Sequence, residues 1–229
     1  IDGFDAVIHL AGANIAGNRW TKSYKREIWD SRIKSTELLV ARMSEVAGPP
    51  AVFLCASATG YYGDRGEEIL TEDSSPGTGF LAKLCVAWEQ SSQSISARGT
   101  RVVNLRTGMV LSADGGALKK ILLPFKLGLG GRLGSGNQYW SWIALADYLA
   151  AVEFILSHNN LKGAINMVAP EPVTNREFVS TLARSLHRSA VFPMPTPMLR
   201  LLFGEMGDAL FLSSQRVRPA RLTVPANGV

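Results

Sequence analysis

Cysteine is nearly missing from this chain: its 229 residues include two, Cys55 and Cys85. Two thiols make no disulfide framework, and their spacing is not that of a metal site, which excludes a small stapled scaffold and points to a reducing, cytoplasmic setting. Both fall inside apolar segments and read as small core hydrophobes. Long apolar runs are missing too. None approaches the roughly 18 residues that a membrane span needs, and no basic-then-apolar leader opens the sequence. Basic residues outnumber acidic ones, 24 to 19, for a net charge of +5. No run of five or more gathers them, so neither a nucleic-acid tail nor a membrane tail is indicated, although the excess suits an anionic small ligand. Internal repeats and flexible interdomain linkers are absent as well. What remains is ordinary globular composition, 46% hydrophobic and 19% charged, enough for one sizeable core or one core with a small lobe.

The stretch Ala51 to Glu89 organises the chain. Ala51 to Ala56 is a short apolar run behind Pro49-Pro50, the pattern of a buried parallel strand, and it empties into Ser57-Ala58-Thr59-Gly60. In an open α/β sheet that strand end is where ligands bind, so the hydroxyls of Ser57 and Thr59 are placed for chemistry. Phe80 to Trp88 then carries apolar residues near helical spacing, with Lys83 and Glu89 among them.

Upstream, Asp5 to Gly12 is a continuous apolar strand closing on a glycine that lets backbone approach a ligand. His9 within it reads as a packed strand histidine. Thr21 is a candidate N-cap for a helix from Lys22 to about Val46, whose inward face is Ile28, Ile33, Leu38, Leu39 and Met43. Periodicity alone makes Glu27 and Arg32 solvated charges on that helix. Downstream, Arg101 to Leu111 is another buried strand, ending near Thr107-Gly108. Strand, helix, strand, helix, strand predicts a doubly wound α/β sheet, with Gly12, Ser57 and Gly108 on one edge through right-handed crossovers. The glycines from Gly128 to Gly136 match neither phosphate-loop spacing and predict a flexible loop over that edge. A helix follows from Leu145 to Leu156, then a short strand Ala164 to Val168. Thr174 and Glu177 form a predicted capping box for a helix from Asn175 to His187. Met198 to Phe203 is a short apolar helix. Met109, Trp140 and Trp142 could line an apolar substrate wall or simply fill the core.

Several blocks taken in order, HLAGANI, RWTKSYKREIWDSRIKSTELLV, SATGYYG, FLAKLCVAWE, LRTGMVLS, GLGGRLGSGNQYWSWI and SSQRVRPARL, resemble the atypical extended short-chain dehydrogenase/reductases of the YfcH type. These are nucleotide-sugar-epimerase-like proteins often mislabelled as cell-division inhibitors. The resemblance implies a Rossmann-like fold binding NADP(H), spanning residues 1–165, and a small C-terminal substrate lobe from 166 to 229. Relative to that family, the first strand, the glycine-rich turn and the second strand are expected to be missing, as is the aromatic-containing C-terminal end.

Residue by residue, the resemblance places Leu10, Ala11 and Gly12 against the cofactor, and Glu27 and Arg32 along the same groove. It gives Ser57 the catalytic-hydroxyl position and puts Val110 beside the nicotinamide. The wider superfamily pairs a tyrosine with a lysine four residues on, whose charge lowers the phenol pKa for acid–base work. Here Lys83 is present but Gly79 stands in the tyrosine position, which leaves Tyr61 and Tyr62 as the nearest phenols. Tyr62 reads as a packing residue and Tyr61 as the freer proton-transfer candidate. The expected function is an NADP(H)-dependent oxidoreductase or epimerase acting on a small molecule. The alternative is a cofactor-binding sensor with little turnover. The sequence leaves the substrate and the oligomeric state open.

Overall fold

A computed structural model describes residues 1–223. Its centre is a parallel sheet of four strands, β1 (Ala6–His9), β2 (Val52–Ala58), β4 (Arg101–Thr107) and β8 (Gly163–Met167), in the order β1-β2-β4-β8. Successive side chains of a strand point to opposite faces, and these strands are apolar on both. Phe53, Cys55 and Val102 pack against Val40, Met43 and Trp88, from α1 (Lys22–Glu45) and α2 (Phe80–Gln93). On the other face Val52, Leu54, Val103 and Leu105 meet Tyr148, Val152 and Ile155 of α4 (Leu145–Ser157). Helices on both faces of a parallel sheet make the doubly wound, Rossmann-like arrangement that the sequence predicts.

Thr21 caps α1 as expected, its hydroxyl accepting from the Tyr24 amide at 3.1 Å. The inward face differs from the predicted one. Ile28, Thr36, Val40 and Met43 are buried while Leu38 is exposed, because Leu38 lies two residues, about 200° of helical rotation, from both Thr36 and Val40 and so faces away from them. Thr36 earns its buried place through hydrogen bonds, donating to the Arg32 carbonyl at 2.7 Å and accepting from the Trp88 indole at 3.0 Å. His9 is buried and bonds Ser35 Oγ through Nε2 at 3.1 Å. Burial pushes its pKa down. Both cysteines are buried and free, their thiols pushed up to about 12 by desolvation.

Beside the sheet lies a set of short ladders. Strands β5 (Met109–Leu111) and β7 (Trp142–Ala144) pair in parallel, β6 (Tyr139–Trp140) pairs with β9 (Val173–Thr174), and β3 (Ile69–Leu70) pairs with β10 (Arg216–Val217). Helices α3 (Gly116–Lys126) and α5 (Asn175–Ser185) pack against β5 and β9, and α6 (Thr196–Phe203) follows. The predicted capping box opens α5. The glycine-rich segment is pinned rather than loose. The Phe192 amide donates to the Gly130 carbonyl, that of Met194 to Arg132, and that of Gly134 back to Met194. A Cβ at Gly131 would collide with the Phe192 carbonyl, so glycine permits this close pairing of two backbones.

Candidate functional site at the strand ends

All four parallel strands end on the same edge, and the chain leaves β1 there as Leu10, Ala11 and Gly12, all exposed. Arg32, three turns into α1, lies directly against Gly12: a Cβ built on that glycine would be 2.9 Å from Arg32 Cζ. The guanidinium is half-buried, sits 5.1 Å from the Trp88 ring centroid and donates to the Ile28 carbonyl at 3.1 Å. It forms no ion pair among the described residues. Burial without a counter-ion lowers its pKa. Beside it the Ala13 amide donates to Ser31 Oγ at 2.9 Å, which ties the loop after β1 to the helix. Glu27, one turn earlier on α1, is exposed.

Strand β2 runs farther than its apolar run suggests. Ser57 and Ala58 stay in register with Arg106 and Thr107 of β4, so Ser57 lies inside the ladder and is 4% exposed. The reason is a partner that the sequence reading did not assign. Ser57 Oγ donates to Glu89 Oε1 at 2.7 Å, and the same carboxylate receives Arg106 Nε at 2.8 Å and Nη2 at 2.9 Å. Arg106 Nη1 reaches the Tyr62 hydroxyl at 3.0 Å and the Glu72 carbonyl at 3.2 Å. Tyr62 in turn donates to Asn166 Oδ1 at 2.7 Å on β8. Glu72 accepts the Asn166 backbone amide through Oε1 at 3.0 Å, while its other oxygen has no partner among the described residues. Burial by itself would lower the Arg106 pKa; the hydrogen bonds and charge of Glu89, with help from Tyr62, hold it above its ordinary value. Burial pushes the Tyr62 phenol up to about 12, against the pull of Arg106. Tyr62 is therefore a neutral, fully buried link.

Tyr61 is half-buried, with Arg106 Cζ 3.4 Å from its ring centroid and the Tyr62 ring edge-on at 5.2 Å. Lys83 is exposed on α2, and its ammonium enters none of the hydrogen bonds of this network. Gly79, the residue four before it, is the N-cap of α2 at φ +93° and ψ −178°. Only glycine adopts that conformation without strain, so a tyrosine there is disfavoured by the backbone as well as absent. Val110 belongs to the β5·β7 ladder, paired with Ile143 and packed on the α4 face of the core. The structure thus joins Gly12 to Arg32 and Ser57 to Glu89, while Lys83 and Glu27 remain on exposed helix surface. Arg106 was the missed signal: an arginine inside VVNLRT cannot be buried without a charged partner.

Comparison with known proteins gives this edge a context. Residues 1–168 match the NAD dependent epimerase/dehydratase family, and residues 194–224 match a domain of unknown function, DUF1731. Epimerase family protein Mb2239 of Mycobacterium bovis is 44% identical over 218 residues, covering 95% of this chain and 72% of that protein. The crystal structure of human epimerase family protein SDR39U1 (isoform 2) with NADPH superposes with a TM-score of 0.92 at 34% identity, covering 96% of this chain and 76% of that one. A nucleoside-diphosphate sugar epimerase from Corynebacterium glutamicum gives 0.70 at 32% identity, covering 93% of this chain and 48% of the other. Sheet order, strand-end edge and matches agree: the chain belongs to the NAD dependent epimerase/dehydratase family.

Proposed function

We propose that this chain binds NADPH along the strand-end edge and acts as an oxidoreductase or nucleotide-sugar-epimerase-like protein on a small molecule. The observation that carries the reading is Arg32, a half-buried cation with no carboxylate partner, lying on a glycine at the end of β1. A cation held this way fits a phosphate or a ribose-linked anion, and the missing side chain at Gly12 is what lets the guanidinium lie against the backbone. The human relative solved with NADPH supports that choice of cofactor. In this reading Leu10, Ala11 and Gly12 line the groove, Glu27 and Arg32 flank it from α1, and Val110 stands beside the nicotinamide. When bound, the cofactor supplies hydride chemistry. Ser57 orients the reacting oxygen, with Tyr61 or water as proton source and Lys83 as the nearby cation. The two free, buried cysteines support a reducing, cytoplasmic setting.

The second reading, a cofactor-binding sensor with little turnover, is favoured by Gly79, which stands where the usual phenol would be. Positioned acid–base catalysis contributes roughly 10²–10⁴-fold, so turnover is expected to be slow in either case. The cofactor proposal is tested by calorimetry on Arg32→Ala. Loss of one charged hydrogen bond, about 1.5–3 kcal/mol, should weaken NADPH binding by about 10- to 150-fold and leave the apo melting temperature unchanged. Equal affinity, or a large loss of apo stability, would return Arg32 to a structural role. NADPH oxidation against quinones, aldehydes and nucleotide sugars separates enzyme from sensor.

A further inference from the structure

Three of the four central strands carry a polar residue at the same level. Ser57 on β2 is in register with Arg106 on β4, and Arg106 is in register with Asn166 on β8. Residues paired this way share one face of a sheet, here the face under α2, where Glu89 bridges Ser57 and Arg106. The row is 4%, 4% and 0% exposed. Polar groups this dry are tolerated when their hydrogen bonds close on one another.

Each proton of the row has one address. The Asn166 carboxamide nitrogen donates to the Arg218 carbonyl at 2.9 Å, so its oxygen faces the other way and accepts from Tyr62 at 2.7 Å. With its single proton directed there, the Tyr62 oxygen offers lone pairs, and it accepts from Arg106 Nη1 at 3.0 Å. Arg106 holds Glu89 through Nε and Nη2, and Glu89 Oε1 takes the Ser57 proton. Were the Asn166 amide reversed, its nitrogen and that of Arg106 would both point donors at the Tyr62 oxygen, and the phenol proton would have no acceptor in the row. The Arg218 carbonyl therefore decides which way Asn166 faces.

That carbonyl belongs to the C-terminal segment 213–221, which is docked by bonds of its own. Ser141 Oγ donates to the Gln215 carbonyl at 2.7 Å and accepts from the Val217 amide at 3.0 Å. The Arg218 amide donates to the Leu70 carbonyl at 2.8 Å, and the Arg221 amide to Glu72 Oε1 at 3.3 Å.

We propose that Asn166 is a positioning residue for Ser57: it reads the Arg218 carbonyl and passes that contact through Tyr62, Arg106 and Glu89, so that the docked C-terminal segment holds the strand-end hydroxyl with its proton on Glu89. The inference rests on the reading of Ser57 as the hydroxyl that orients substrate, and it makes the C-terminal segment a regulatory part of that site. Coupling between distant groups needs an element with two discrete arrangements. Here that element is the Asn166 amide, whose two orientations differ by a half-turn. Undocking the segment frees the amide to turn, which takes the acceptor from the Tyr62 proton and loosens the charged pair beside Ser57.

The test reads the Ser57 hydroxyl by nuclear magnetic resonance. In protein made with isotope-labelled serine and dissolved in mixed light and heavy water, the Cβ resonance of Ser57 reports how fast its hydroxyl proton exchanges, and Ser57→Ala identifies the signal. The wild type should exchange slowly. Tyr62→Phe and Asn166→Ala break the row, and Ser141→Ala loosens the segment without touching the row; each should exchange about 2- to 12-fold faster, the effect of losing one neutral hydrogen bond. Thr174→Ala removes a helix cap outside the row and should lower the melting temperature while leaving the exchange rate alone. If Asn166→Ala does not fold, Tyr62→Phe and Ser141→Ala decide the question. Rapid exchange in the wild type, or rates in Tyr62→Phe and Ser141→Ala equal to that of Thr174→Ala, would overturn the proposal. Every rate is measured without cofactor, so a failure of NADPH to bind would sink the cofactor reading and leave this result standing.

Discussion

Replacing Glu89 with alanine removes the carboxylate paired with the buried Arg106 guanidinium, and the cost follows from the geometry. The Arg106 and Glu89 side chains are 5% and 13% exposed and meet through two nitrogen–oxygen contacts of 2.8 and 2.9 Å. Breaking a buried pair from one side costs about 3–5 kcal/mol, because the remaining charge has neither water nor partner. In a chain of this size each kcal/mol moves the melting temperature by about 2–4 °C, so Glu89→Ala should melt about 6–20 °C below the wild type. Arg106→Met strips the Tyr62 hydroxyl and the Glu72 carbonyl of a donor as well, and it should also be severe. Combining Glu89→Ala with Arg106→Met removes both charges together, and its loss should be smaller than the two single losses added. Thermal and urea unfolding of the four proteins measure that coupling. A fall of less than about 3 °C for Glu89→Ala, or strict additivity in the double variant, would refute the reasoning.

Other consequences follow from buried groups and backbone. His9 is held neutral by desolvation, so the unfolded chain takes up a proton near pH 6.5 that the folded one does not; stability should fall as pH drops below about 6.5. Urea titrations on either side of that pH should show the slope, and His9→Gln should lose His9's share of it. Cys55 and Cys85, both at about 12, should react with an aromatic disulfide reagent at neutral pH only as fast as the protein opens. Rapid labelling of the native protein would contradict their burial. Gly79→Tyr restores a phenol four residues before Lys83, and a Cβ there meets open space. It still imposes a backbone conformation costing about 1–3 kcal/mol, read as a lower melting temperature; an unchanged value would mean that the turn before α2 relaxes freely.

The fold was legible because the central strands β2 and β4 are buried on both faces: DAVIHLAG, AVFLCA and RVVNLRT are short runs rich in Val, Ile and Leu, and such runs separated by helices leave few arrangements other than a parallel sheet. The caps at Thr21 and Thr174 were legible because capping is a local interaction of residues three apart. Leu38 was misassigned because a long helix drifts out of any fixed repeat, and only packing selects the buried stripe. The glycine-rich segment was read as loose because its partners, 192–194, lie some sixty residues away in sequence. The extent of β2 was missed for a related reason. Ser57 looks like a loop residue by type, and only a long-range bond to Glu89 shows why a hydroxyl belongs inside the ladder.

That bond also constrains what Ser57 can do. A serine hydroxyl has one proton and two lone pairs, and here the proton is directed at Glu89 Oε1 at 2.7 Å. Toward anything arriving at the strand ends, Ser57 in this state offers lone pairs, so it accepts a hydrogen bond from a substrate alcohol more readily than it donates one to a carbonyl. To polarise a carbonyl it must turn its proton away from Glu89, giving up a charge-assisted bond of about 1.5–3 kcal/mol in return for a neutral one of about 0.5–1.5 kcal/mol. Glu89 tolerates the loss because both of its oxygens keep their contacts to Arg106. In the role proposed for Ser57, the Arg106–Glu89 pair therefore favours the hydroxyl as an acceptor from a substrate alcohol over a donor to a carbonyl.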